Sequence, residues 1–121
     1  IAPDDERYVK TVKAIKENLY HEGLMYRYKA EDDFGVPTSS FTICTFWLIE
    51  ALYMIGERQE AREIFEKMIS YSNHVGLFSE DLDFRTKRQL GNFPQAYSHL
   101  ALINTAVLFS EEKELSKFIR P

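Results

Sequence analysis

The sequence predicts an all-α chain of antiparallel helical hairpins. Two observations carry that expectation: apolar residues recur at helical spacing along most of the 121 residues, and the connections between the main helices alternate long, short, long. Tyr8, Val12, Ile15 and Leu19 fall at i, i+4, i+7 and i+11, one face of a helix over 5–20, and Asp4, Asp5 and Glu6 put negative charge at its start. A second helix is expected over 40–55. There Phe41, Ile43, Cys44, Phe46, Trp47, Leu48, Ile49, Ala51 and Leu52 form a nearly all-apolar run, with Thr38, Ser39 and Ser40 as cap candidates. So apolar a helix is expected to be buried on most sides.

Gly56 suits the position just past a helix end, where a left-handed backbone is needed, and the chain re-enters a helix over 58–72. Ala61, Ile64, Phe65, Met68 and Ile69 form its inner stripe, while Arg62 with Glu66 and Glu63 with Lys67 pair on the wet side. Asn92 and Pro94 open a fourth helix that Leu100, Ala101, Leu102, Ile103, Ala106, Val107 and Leu108 carry to about Phe109. Residues 111–119 read as a short terminal helix. No β-hairpin signal, low-complexity tract or solenoid-period repeat is visible.

The connections say more than the helices. About nineteen residues (21–39) separate the first two helices and about twenty (73–92) the last two, against a turn at Gly56 in the middle. With consecutive helices antiparallel, both long connections emerge at the same end. Loops of that length in a compact domain are usually functional or disordered, and the aromatic and acidic content here favours function.

Composition removes several classes. With 15 Lys+Arg against 19 Asp+Glu, the formal charge is −4, and no basic cluster offers a phosphate-tracking surface, so nucleic acid is not an expected partner. The most apolar stretch, 41–55, contains Glu50 and falls short of the roughly 18 residues a membrane span needs. The first residues, Ile-Ala-Pro-Asp-Asp-Glu, carry no export signal, and a cytoplasmic location is expected; without an initiator Met, processing or truncation stays open. The single Cys44 cannot form an internal disulfide and sits among apolar residues, where a thiol behaves as a small hydrophobe. His74, His99, Glu80 and Asp83 lack metal-motif spacing, and no metal or cofactor is expected.

Tyr26, Tyr28, Phe34 and Phe78 stand in the loops beside Asp32, Asp33, Glu80, Asp81 and Asp83. Ring faces stack on pyranose C–H patches and carboxylates take hydroxyl hydrogen bonds, so this composition suits a sugar site. The same rings would serve equally as satellite core. A different class is open too: 51–56 with 61–65 has the small-residue and aromatic spacing of a tetratricopeptide-like hairpin, a peptide-binding module. Against it, no second copy appears at a period near 34 residues, and the loops are long.

Asp-Asp-Phe-Gly (32–35), Phe-Thr-Ile-Cys-Thr-Phe-Trp-Leu-Ile-Glu-Ala-Leu (41–52) and Gly-Glu-Arg-Gln-Glu-Ala-Arg-Glu-Ile-Phe-Glu (56–66) occur in that order. Asn-His-Val-Gly-Leu-Phe-Ser-Glu-Asp-Leu-Asp (73–83) and Gly-Asn-Phe-Pro-Gln-Ala-Tyr-Ser-His (91–99) follow. Together they resemble the C-terminal part of glycoside hydrolase family 15, the glucoamylases with glucodextranase and bacterial trehalase relatives. The resemblance implies a partial (α/α)6 toroid spanning 1–121, a fragment of a catalytic domain whose loops build the site at one end. It further implies an inverting reaction on an α-glucosidic oligo- or disaccharide, with one carboxyl group as acid and the other as base. The family's base lies in a Gly-Leu-Leu-Ser-Glu type motif, matched here by Gly76-Leu77-Phe78-Ser79-Glu80, so Glu80 is the catalytic candidate. Tyr28, Asp32 and Asp33 are the substrate-binding candidates, with Arg27 beside them. Thr38 stands where bacterial relatives commonly carry Glu. No segment matches the family's acid motif. The chain alone is therefore expected to be inactive and, with inner-ring faces uncovered, to self-associate.

Overall fold

The computed structural model describes residues 2–118, with side-chain surroundings through Ser110. Helix α1 (Glu6–Leu19) starts where Asp5 caps it: the Asp5 carboxylate accepts from the Arg7 backbone N–H at 2.9 Å and from the Arg7 guanidinium at 2.7 Å. Val12 is its buried residue, and Lys16 pairs with Glu60 across the structure.

The chain then makes a hairpin that its periodicity did not announce. Strands β1 (Tyr20–His21) and β2 (Leu24–Met25) pair antiparallel, joined by Glu22 and Gly23 with φ of 47° and 85°. Two successive positive φ values are the geometry of a tight hairpin turn, and each strand is too short to show alternation. A second sheet corrects the all-helical expectation further. Strands β3 (Ser39–Phe41), β4 (Asp81–Asp83) and β5 (Gln89–Leu90) form an antiparallel sheet in that order, pairing Ser40 with Leu82 and Leu82 with Gln89. The chain is mostly helical with two small antiparallel sheets.

β3 leads directly into α2 (Thr42–Met54), so Ser39 and Ser40 are strand residues and not caps. Their hydroxyls act across the sheet, Ser39 donating to Asp81 Oδ2 at 2.6 Å and Ser40 to the Leu82 carbonyl at 2.9 Å. α2 ends at Gly56, with φ 91°, and Glu57 N–H returns to the Leu52 carbonyl at 2.9 Å. α3 (Arg58–Ser70) then packs back on α2 and buries Ala61, Ile64 and Met68, while Ile69 of the expected stripe is exposed.

α4 (Ala96–Phe118) is one helix. The expected break near 110 is absent because Glu111, Glu112 and Lys113 are good helix formers with no Gly or Pro among them. Ile119, the expected last residue of a terminal helix, lies outside the described residues. α4 also starts later than Asn92 and Pro94 suggested: Gln95 N–H is bonded to the Phe78 carbonyl at 3.0 Å, Asn92 is engaged with residue 80, and the Phe93–Pro94 peptide is cis.

α2 is the centre of the core. Phe46, Ile49 and Leu52 are fully covered, and Phe46 meets Phe78 edge to face at 5.6 Å. Contacts with α4 advance together along both helices: Phe41 ring to Tyr97 ring at 5.8 Å, Thr105 Oγ1 to Glu50 Oε1 at 2.9 Å, Tyr53 hydroxyl to the Leu108 carbonyl at 3.3 Å. α2 and α4 therefore run parallel, with their first turns at the same end. As expected of so apolar a helix, α2 is buried or half-buried at every residue but Trp47 and Met54, which are 54% and 47% exposed. Leu100, Ile103 and Val107 line an open face of α4.

Candidate active site

The three-stranded sheet joins the two long connections, residues 39–41 closing the first and 81–83 lying within the second. Glu80 stands just before β4. Its N–H donates to the Asn92 carbonyl at 2.9 Å, and its carbonyl accepts the N–H of Thr42, the first residue of α2, also at 2.9 Å. The side chain is held as firmly. Oε2 accepts from Asn92 Nδ2 at 2.9 Å and from the Asn92 backbone N–H at 3.3 Å, and Oε1 accepts from the Tyr97 hydroxyl at 2.9 Å. Donors on both oxygens match a carboxylate, which can only accept.

The approach of 91–92 to Glu80 requires glycine. A Cβ at Gly91 would lie 3.1 Å from Glu80 Oε2 and 3.2 Å from its Cβ, and φ there is +73°. Below Glu80, the start of α4 is stitched to residues 78–79. Ser98 Oγ donates to the Ser79 carbonyl at 3.0 Å. His99 Nε2 accepts from the Phe78 N–H at 3.1 Å while its Nδ1 meets the Gln95 carbonyl at 2.7 Å, which fixes a neutral ring with the proton on Nδ1. His99 is thus committed to backbone. Gln89 closes the rear, taking the Ser79 N–H at 2.6 Å and donating to the Tyr71 carbonyl at 2.9 Å.

Glu80 opens on a cavity of about 160 Å³ lined by Arg27, Tyr28, Pro37, Ser39, Ser40, Phe41, Glu80 and Asp81. The cavity thus brings Tyr28 and Glu80 together. Asp32 and Asp33 are not in its lining. Asp32 is a turn residue: its Oδ1 accepts the Phe34 N–H at 2.8 Å, its backbone pairs with Gly35, and its other oxygen takes the Tyr28 hydroxyl. That bond pulls the Asp32 carboxyl below its ordinary range. Asp33 is exposed on the same turn. Arg27 lies over the Phe41 ring with 5.1 Å to its centroid.

The model of the family described as Glycosyl hydrolases family 15 matches residues 1–107. The chain belongs to that family. It is 45% identical over 107 residues to a trehalase of Mycolicibacterium smegmatis, covering 86% of this chain and 16% of that protein. It is 40% identical to a trehalase of Mycobacterium tuberculosis, over 100% of this chain and 19% of that protein. A trehalase of Thermoplasma acidophilum is also 40% identical, over 97% and 21%. The chain thus spans about a fifth of the length of these relatives. No solved structure matches it significantly.

Family membership does not favour the tetratricopeptide-like alternative; the α2–α3 hairpin is flanked by paired strands. Sequence reasoning about this family 15 chain placed Asp81 only among the loop acids and missed Ser39, Asn92 and Tyr97 as site residues. The last two lie in the quoted 91–99 motif, so that segment was the available signal for them. Asp81 is pushed above the usual carboxylate range by burial, against the Ser39 hydrogen bond, with Glu80 raising it further and Arg27 lowering it.

A carboxyl raised in the folded state takes up its proton before the unfolded one does, so its charge destabilises at neutral pH and the penalty fades as pH falls through the folded value. Asp81→Asn is therefore expected to raise Tm at pH 7, with the gain shrinking in melts repeated at acid pH. Gly91→Ala is expected to destabilise by about 1–2 kcal/mol through its left-handed backbone and to displace Glu80, read by denaturant titration.

Proposed function

We propose that residues 1–121 are the C-terminal part of the catalytic domain of an inverting hydrolase of α-glucosides, with Glu80 as general base and trehalose as the substrate to test first. The observation that carries this reading is a carboxylate held from behind by Asn92 and Tyr97 and open in front to a cavity lined by Arg27, Tyr28, Ser39 and Asp81. The name of the relatives supports the substrate.

In such a reaction Glu80 takes a proton from a water, the water oxygen bonds to the anomeric carbon as the glycosidic C–O bond breaks, and an acid protonates the leaving oxygen. Inverting enzymes hold their two carboxyl groups roughly 6.5–9.5 Å apart so that the water fits. The acid is assigned to the part of the whole protein outside these residues. Tyr28 contacts the sugar, Asp32 holds Tyr28, and Asp33 meets a substrate hydroxyl from the exposed turn.

The proposed architecture is a segment of an (α/α)6 toroid. It is supported by α2 and α4 running parallel as neighbours, as inner-ring helices do, with α3 packed on α2. Leu100, Ile103 and Val107, 63%, 57% and 47% exposed, then face helices of the whole protein.

In the whole protein, Glu80→Gln is expected to lower kcat on trehalose about 10²–10⁴-fold while trehalose binding, measured by calorimetry, persists; a near-normal rate removes Glu80 from the mechanism. The isolated 121-residue chain is expected to release no glucose from trehalose and to sediment as associated species, and a clean monomer at high concentration would count against the open faces being seams.

A further inference from the structure

We propose that Tyr97 is a positioning residue for the general base: its hydroxyl fixes Glu80 Oε1 as the oxygen that takes the proton of the attacking water. This rests on the reading of Glu80 as base. The two oxygens of Glu80 are not equivalent. Oε2 accepts from both the side chain and the backbone of Asn92, at 2.9 and 3.3 Å, whereas Oε1 accepts from Tyr97 at 2.9 Å. A carboxylate oxygen has two acceptor sites, so among the described residues Oε2 is filled and Oε1 keeps one site free. The free site belongs to the group that lines the cavity.

Tyr97 acts from behind. Among the described residues the cavity lining includes Glu80 and Phe41 but not Tyr97, whose ring rests against Phe41 at 5.8 Å. Its place in the first turn of α4 is secured without the hydroxyl, because Gln95, Ser98 and His99 bond the backbone of Phe78 and Ser79. The backbone of Glu80 is likewise held by Asn92 and Thr42. What the hydroxyl adds is the rotation of the carboxylate. Burial, with the bond to Glu80, pushes the Tyr97 phenol above its ordinary range, which keeps it a donor through the working range of a hydrolase.

The step balances within the proposed reaction. The water proton goes to Oε1, the water oxygen bonds to the anomeric carbon, and the glycosidic oxygen leaves with a proton from the acid. Tyr97 transfers nothing and holds its hydrogen bond throughout.

The test uses the whole protein with trehalose and compares Tyr97→Phe, Tyr97→Trp and Glu80→Gln. Phe keeps the ring on Phe41 and removes the donor alone. Its kcat is expected to fall about tenfold to a hundredfold, the scale of a misplaced catalytic group, with KM within about twofold and Tm nearly unchanged. Trp, which restores an N–H donor on a ring, is expected to recover part of the rate. An unchanged kcat in Tyr97→Phe, or a fall in kcat matched by a rise in KM and a loss of Tm, overturns the proposal. If Tyr97→Phe does not fold, Tyr97→Leu, which also lacks the donor, decides: a folded variant with wild-type KM and lowered kcat supports positioning, and one with wild-type kcat overturns it. Glu80→Gln separates the two readings: a near-normal rate there sinks the base assignment, whereas an inactive Glu80→Gln beside a normal Tyr97→Phe sinks the role of Tyr97 alone.

Discussion

The antiparallel pairing of Ser39–Phe41 with Asp81–Asp83 decides where α2 and Glu80 meet, because β3 runs without a break into α2 and Glu80 immediately precedes β4. Once Phe41 is opposite Asp81, the Thr42 N–H falls on the Glu80 carbonyl. The same register sets Ser39 Oγ on Asp81 and Ser40 Oγ on Leu82. A slip of one residue would turn Leu82, which is fully buried, out of the core. Glu80 is thereby fixed by α2 through its carbonyl, by the 91–92 turn through its N–H and Oε2, and by α4 through Oε1.

The parallel course of α2 and α4 gives the site its electrostatic setting. The first turns of both helices lie at the end that holds Glu80 and Asp81, and the first turn of a helix carries partial positive charge. Two adjacent acidic residues share that end with the guanidinium of Arg27, which draws Asp81 downward while burial and Glu80 raise it. Asp81, with the Ser39 hydroxyl as donor, bears the cost of the crowding, while Glu80 accepts from Asn92 and Tyr97.

The long helices were legible: α1, α2 and α3 fall within two residues of their expected ends, α1 and α3 because 3.6-residue periodicity is written in their apolar residues and α2 because its apolar run has the length of a helix and stops at Gly56. The strands were not, since two or three residues cannot display alternation. Ser39 and Ser40 show why local reading erred: a hydroxyl before an apolar run reads as a helix cap, and only the partner strand forty-odd residues on reveals that it is used across a sheet. The site divided in the same way. Glu80 was named from a resemblance carried by contiguous motifs, and Tyr28 from the aromatic and acidic content of its loop. The bonds that orient Glu80 join residues 12 and 17 positions apart, and no spacing rule links a loop acid to an amide and a phenol that reach it through a folded turn. Asp32, legible as an acid beside an aromatic loop, is used first as a turn-former that steadies Tyr28.

The tight turn at Gly56 also has a bearing on how the site assembles. Ser39 and Asp81 are 42 residues apart, a separation whose closure is slow and costly for an open chain. The intervening segment is largely the α2–α3 hairpin, whose own contacts are local and whose two outer ends return to the same side of the molecule. Forming that hairpin first leaves short stretches to close before β3 finds β4. The effective loop is far smaller than the sequence separation, and the catalytic end inherits its geometry from a hairpin whose turn lies at the opposite end of the fold.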